Sequence, residues 1–228
     1  GRAMTESLVQ AGARVAMMDV NQEWLDRSAN DVREMCGDDS VMAVAADVSD
    51  PDSVERAVSK VIGEWGLHIL VNNAGINPGT VGLGPTSPVN AWENSLEAWN
   101  KVMSVNLNGP FYMTKAVLDH MVAQGWGRII GVTTSFETMH RKGGAPYGPA
   151  KAGHEALMSI ISKELEGTGV TANVLVPGGP TNTAMIPSDT EFDREALIQP
   201  GVMRVPVAWL ASEASDGING RRFIGHLW

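Results

Sequence analysis

Short, almost wholly apolar runs alternate along the chain with longer stretches in which apolar residues recur every three or four positions. The short runs are RVAMMD (14–19), MAVAAD (42–47), HILVNNAG (68–75), GRIIGVTT (127–134) and TANVLVPG (171–178). Segments this short and this apolar read as strands buried on both faces, as in a parallel sheet covered by helices on each side. The longer stretches are DSVERAVSKVIGEWG (52–66), a span from about 94 to 126, and PYGPAKAGHEALMSIISKELEG (146–167), and their spacing is helical. GRAMTESLVQAG, at the front, reads as a further helix running into RVAMMD. The pattern therefore predicts repeated β-α-β units: an α/β chain with a doubly wound parallel sheet in three layers, α/β/α. The Gly- and Pro-rich 77–90 and 177–189 read as loops, and no repeat, charged block or linker divides residues 1–228, so one domain is expected.

Open parallel sheets bind ligands beyond the carboxyl ends of their strands. Asp19, Asp47, Asn72 to Gly75, Thr133 to Ser135 and Pro177 to Gly178 are thus expected to converge on one rim. The opening helix has no strand ahead of it in the sequence. In a dinucleotide fold a strand and a glycine turn feed that helix, whose N-terminus takes the pyrophosphate. Gly1 would be the last glycine of that turn, and the chain reads as truncated at its N-terminus.

Composition narrows the function classes. A chain of 228 residues, 43% hydrophobic, suffices for one large core. A net charge of -9 with singly scattered basic residues argues against a nucleic-acid surface, which needs clustered Lys and Arg. Cys36, the only cysteine, cannot form an internal disulfide and points to a reducing, cytoplasmic setting. No apolar run reaches the ~18 residues of a membrane span, so no membrane partner is expected. The histidines at 68, 120, 140, 154 and 226 show no ligand spacing with a carboxylate or Cys, and no metal is expected. His140 reads as a solvated loop residue near the mouth of the site.

The sharpest chemical signal is Tyr147 with Lys151 in YGPAK, where a spacing of four puts both side chains on one helix face. An ammonium beside a phenol favours the phenolate, which suits tyrosine to acid/base work. Thr134 and Ser135 end the preceding apolar run, and either hydroxyl could bind a substrate oxygen shared with Tyr147. Asn106 lies in SVNLNGPF, inside a helical span where asparagine is a poor former. Asp19 closes its strand where a carboxylate can accept both ribose hydroxyls, and Val20 and Asn21 after it offer no arginine for a 2'-phosphate, which favours NAD over NADP.

NNAG (72–75), WNKVMSVNLNGPF (99–111), YGPAK (147–151), VLVPGG (174–179) and VAWLAS (207–212), in that order, resemble the short-chain dehydrogenase/reductase family over essentially the whole chain. The resemblance implies a Rossmann-like NAD(P)-dependent oxidoreductase, with Tyr147 as acid/base, Lys151 on the nicotinamide ribose, and Asn106 holding a water that links Lys151 to solvent. It leaves the family's serine position open between Thr134 and Ser135. It implies Asp47 on the adenine amino group, Val48 in the ring pocket, and Asn73, Ala74 and Gly75 beneath the adenosine side. Pro177 and Gly178 would bind the cofactor, and Thr183, or else Thr181, would contact its carboxamide or pyrophosphate. A substrate-side lid is expected around 179–203.

The helices around 94–126 and 147–166 resemble those that build homodimers and homotetramers in this family; Met103, Phe111, Met113, Leu118 and Met158 could serve such an interface or the core. The expected substrate is a secondary alcohol or ketone such as a polyol, sugar or steroid, with 3-oxoacyl-thioester reduction, on NADPH, as the alternative. A different class of function, a non-catalytic Rossmann-fold binding or structural module, is opposed by intact Tyr147, Lys151 and Asn106.

Overall fold

The computed structural model describes residues 1–84, 88–186 and 193–228. In chain order the elements are α1 (Arg2–Gln10), β1 (Val15–Asp19), α2 (Gln22–Cys36), β2 (Val41–Ala45), α3 (Pro51–Trp65), β3 (Ile69–Asn72), α4 (Leu96–Met103), α5 (Gly109–Gln124), β4 (Gly127–Val132), α6 (Phe136–His140), α7 (Tyr147–Glu164), β5 (Val170–Val176), α8 (Arg204–Leu210) and β6 (Arg222–Ile224). All strand pairs are parallel, as the apolar runs predict.

Local chemistry sets the helix starts. The Asn21 side chain accepts from Trp24 N at 2.9 Å and caps α2; Asp50 accepts from Asp52 N at 3.1 Å ahead of Pro51 in α3. Alternation along the central strands then divides the core. Ile129, Val174 and Val176 pack with α3, α5 and α7 through Val58, Met121 and Met158, while Ile130 and Leu175 pack with α1 and α8 through Leu8 and Val207. Burial of each such side chain contributes about 2 kcal/mol.

The single expected sheet is in two parts, β1-β2 and β3-β4-β5-β6. They form one layer, because Val15 of β1 shares a cluster with Ile69 and Val71 of β3, and Met18 shares the opposite one with Leu70. The residues of β2 are absent from the cluster that joins Val15 to β3, so β1 is the strand on the β3 side.

Other boundaries move for local reasons. HILVNNAG stops being strand at Asn72, whose buried amide donates to Thr114 Oγ1 of α5 at 3.0 Å. The 94–126 span is broken by a π-helical turn, Ser104–Asn108, which separates α4 from α5. Met113 and Met158 are core, whereas Phe111 is 46% exposed. No helix among the described residues is long and apolar enough to cross a membrane.

Candidate active site

The first residue of α7 is Tyr147, and Lys151 lies one turn on. The helix seats closely on α6 because Gly148 has no side chain; a Cβ there would overlap the Met139 carbonyl. Lys151 is 3% exposed, and its Nζ donates to the Val132 carbonyl at the end of β4 at 2.9 Å. Nζ lies 5.9 Å from the Tyr147 ring centre. Burial pushes the Tyr147 phenol up to about 12, with Arg141 pulling the other way, and pushes Lys151 down to about 8. Burial thus outweighs the expected help from Lys151, and the phenol stays protonated at neutral pH. Among the described residues its hydroxyl has no hydrogen-bond partner.

Beyond β4 the two candidate hydroxyls differ. Ser135 Oγ caps α6, accepting from Thr138 N at 3.2 Å and lying 3.0 Å from Thr138 Oγ1. The Thr134 hydroxyl has no partner among the described residues, and its carbonyl accepts from Arg222 Nη2 at 2.8 Å.

Asn106 sits in the π-helical turn, fully buried, where the bulge turns its amide toward the loop after β3. Oδ1 accepts from Ile76 N and Nδ2 donates to Ile76 O, both at 2.8 Å. The amide therefore clasps the Ile76 backbone. Gly75, next in the chain, faces the same place: a Cβ on it would lie 3.4 Å from Lys151 Nζ and 3.5 Å from Asn106 Oδ1.

At the other end of the rim, a Cβ on Gly1 would lie 3.3 Å from Asn73 Nδ2, and the Asp19 carboxylate is near enough to act on the Gly1 amino group. The N-terminus of α1, the end of β1 and the turn after β3 thus meet, with a backbone turn and an exposed carboxylate side by side. That donor set fits the pyrophosphate and adenosine ribose of a dinucleotide, and Lys151 beside Gly75 fits a second ribose. Asp47 is more committed: its Oδ1 accepts from Ser49 N at 2.8 Å and Ser49 Oγ at 2.6 Å. Burial opposes ionisation there, but those bonds and Lys101 hold its carboxyl below the usual range. Val48 packs on Gly109, where a Cβ would come within 2.9 Å of Val48 Cγ2.

Gly178 takes φ 111°, and the His226 ring fills the place of its missing side chain, Nδ1 lying 3.0 Å from the Pro177 carbonyl. Thr181 and Thr183 spend their hydroxyls locally, Thr181 donating to Gly179 O at 3.0 Å and Thr183 accepting from Met185 N at 3.3 Å. Of the expected lid, 187–192 lie outside the described residues. Its ends are pinned together by a bridge between Thr181 and Ile198, and Asn77 Nδ2 donates to Met185 O at 3.4 Å.

Sequence reasoning missed Ile76, the Val132 carbonyl, Glu155 and Arg222. Glu155 carried a usable signal, four residues beyond Lys151 on the same face; a backbone carbonyl and a residue on a distant strand carried none. No group of three or more His, Cys, Asp or Glu among the described residues could hold a metal ion.

The family model described as short chain dehydrogenase matches residues 1–193. The chain is 32% identical to 3-oxoacyl-(acyl-carrier-protein) reductase FabG of Vibrio cholerae over 96% of its length and 88% of the relative's. It is 29% identical to fluoren-9-ol dehydrogenase of Terrabacter, covering 100% of this chain and 68% of that one. Among solved structures, gluconate 5-dehydrogenase from Burkholderia cenocepacia, in complex with NADP and tartrate, superposes with a TM-score of 0.84 at 26% identity, covering 100% of this chain and 91% of that one.

Proposed function

Since the chain belongs to the short chain dehydrogenase family, a family of nicotinamide-dependent oxidoreductases, we propose that it transfers a hydride between NAD and a secondary alcohol or its ketone, with Tyr147 as acid/base. The observation that carries this is the pairing on α7: a phenol without a hydrogen-bond partner among the described residues, one turn before a buried lysine, at the carboxyl end of β4. When bound, the dinucleotide supplies the site that accepts or gives the hydride. Tyr147 holds the proton that the substrate oxygen gains in reduction and loses in oxidation. Thr134 orients that oxygen, because Ser135 already caps α6. Lys151 is anchored by Val132 and holds the ribose beside Gly75, while Asn106 fixes the Ile76 backbone that shapes this wall. The described parts of the expected lid, 179–186 and 193–203, border the substrate side, and the exposed apolar Leu96, Phe111 and Ile160 on α4, α5 and α7 support a homodimer or homotetramer, which sedimentation velocity reads directly.

Reduction of 3-oxoacyl thioesters is the second reading, favoured by the identity to FabG. Asp19 separates the cofactors, since a carboxylate at the ribose repels a 2'-phosphate. NADP belongs to the solved gluconate dehydrogenase complex; the proposal for this chain is NAD.

One further parallel strand is proposed between β1 and β3, supported by the interruption of a single layer at that point. Unpaired backbone groups along two facing edges are unfavourable when buried. Calorimetric titrations test both points. NAD is expected to bind at least about tenfold tighter than NADP, with Asp19→Ala removing most of that ratio, because each tenfold is only 1.4 kcal/mol. A version carrying an apolar strand and glycine turn ahead of Gly1 is expected to bind NAD more tightly than the present chain. Equal affinity for both cofactors would overturn the Asp19 role, and equal affinity of both forms would overturn the added strand.

A further inference from the structure

Arg222 lies on β6, which β5 separates from β4, yet its guanidinium reaches the end of β4. Nη2 donates to the Thr134 carbonyl at 2.8 Å, and the guanidinium carbon sits 4.1 Å from the Phe136 ring centre. Nε donates to Glu155 at 3.1 Å to Oε1 and 3.2 Å to Oε2. Glu155 Oε1 also accepts from Thr133 Oγ1. Glu155 belongs to α7, one turn beyond Lys151 and two beyond Tyr147. One ion pair therefore ties the strand end that presents Thr134 and Ser135 to the helix that presents Tyr147 and Lys151.

The need for such a tie follows from where the ladder stops. β4 ends at Val132, and Thr133 N reaches the Leu175 carbonyl only at 3.4 Å. Residues 134 and 135 are past the sheet, bracketed instead by the Arg222 contacts at 134 and 136. The paired side chains are 21% and 15% exposed, so solvent screens them less than a surface pair. A planar guanidinium can serve a carboxylate, a carbonyl and a ring at once; an ammonium on a flexible stem cannot.

We propose that Arg222 and Glu155 are positioning residues that set the β4 hydroxyl against the Tyr147 phenol. The proposal rests on the reading of Tyr147 as acid/base, and neither residue touches reacting atoms. The test is a kinetic cycle on the whole chain with NAD and the alcohols of its relatives, fluoren-9-ol and gluconate. Arg222→Met and Glu155→Gln are expected to lower kcat by roughly 10- to 100-fold, as misplacement of a reacting pair does, with KM for NAD within about twofold. Arg222→Lys should restore only part of the loss. In a Thr134→Val, Ser135→Ala background, Arg222→Met should lower kcat by less than about a further twofold, because its effect runs through the hydroxyl. The same factor in both backgrounds, or a lowered Tm with kcat unchanged, would overturn the proposal. Should Arg222→Met fold poorly, Glu155→Gln reads the same cycle. Turnover retained by Tyr147→Phe would instead fault the acid/base reading beneath it.

Discussion

Tyr147→Phe is expected to lower turnover by roughly a thousandfold, within the range general acid/base catalysis supplies, while the Kd for NAD changes by less than about twofold. The substitution removes one hydroxyl and keeps the ring. That hydroxyl has no partner among the described residues, so its loss orphans no other group and the fold should keep its Tm. The pH dependence carries a sign. Burial holds the phenol near 12, so the group bears its proton throughout the neutral range. Reduction, which uses that proton, should be flat there and decline only as the pH approaches the phenol's value. Oxidation, which needs the phenolate, should speed up as pH rises. A Tyr147→Phe protein that still turns over would remove Tyr147 from the mechanism; an unaltered chain that binds NAD but never turns over would return the non-catalytic module.

Lys151→Met is expected to abolish most turnover and, near neutral pH, to raise stability. Burial depresses the Lys151 value from 10.5 to about 8. Between those values the unfolded lysine binds a proton that the folded one does not, so stability from this group rises with pH across that window. Below it the native state carries a buried ammonium, a cost of about 3 kcal/mol. Methionine removes that cost and gives up one hydrogen bond from a charged donor to Val132, about 2 kcal/mol. The variant should therefore melt a few degrees higher at pH 7, and its advantage should shrink as the pH is raised toward 10.5. His154, on the same helix, is held down to about 3 by burial and then by the Lys151 charge, and should rise once that charge is gone. A lower Tm at pH 7 would contradict this account of the buried lysine. Stability yielded at a functional group is a common trade in enzymes.

The apolar runs were legible because strands buried on both faces leave little room for polar residues: β5 is buried along its whole length. α2 escaped notice because it buries only Leu25, Ala29 and Val32 along fifteen residues and is otherwise polar. β6 is three half-buried residues, too short for any period to declare itself. The catalytic candidates were legible where chemistry and spacing lie on one helix, as with Tyr147 and Lys151. They were not legible where the fold joins distant segments. Asn106 signalled itself as an unlikely helix residue, but only the π-helical turn reveals that its amide grips the Ile76 backbone. Thr134 and Ser135 were indistinguishable in sequence; in the structure Ser135 caps α6, whereas the Thr134 hydroxyl has no partner among the described residues. Arg222 had no local signal, because its partners lie on β4, α6 and α7.

A crystal structure of the chain with NAD would show whether the dinucleotide lies along this rim. The expected density places the pyrophosphate at the α1 N-terminus by Gly1 and Asn73, the adenosine ribose on Asp19, and the nicotinamide ribose on Lys151, with the ring facing Tyr147. A dinucleotide bound elsewhere, or one whose nicotinamide lies away from Tyr147 and Lys151, would contradict that placement.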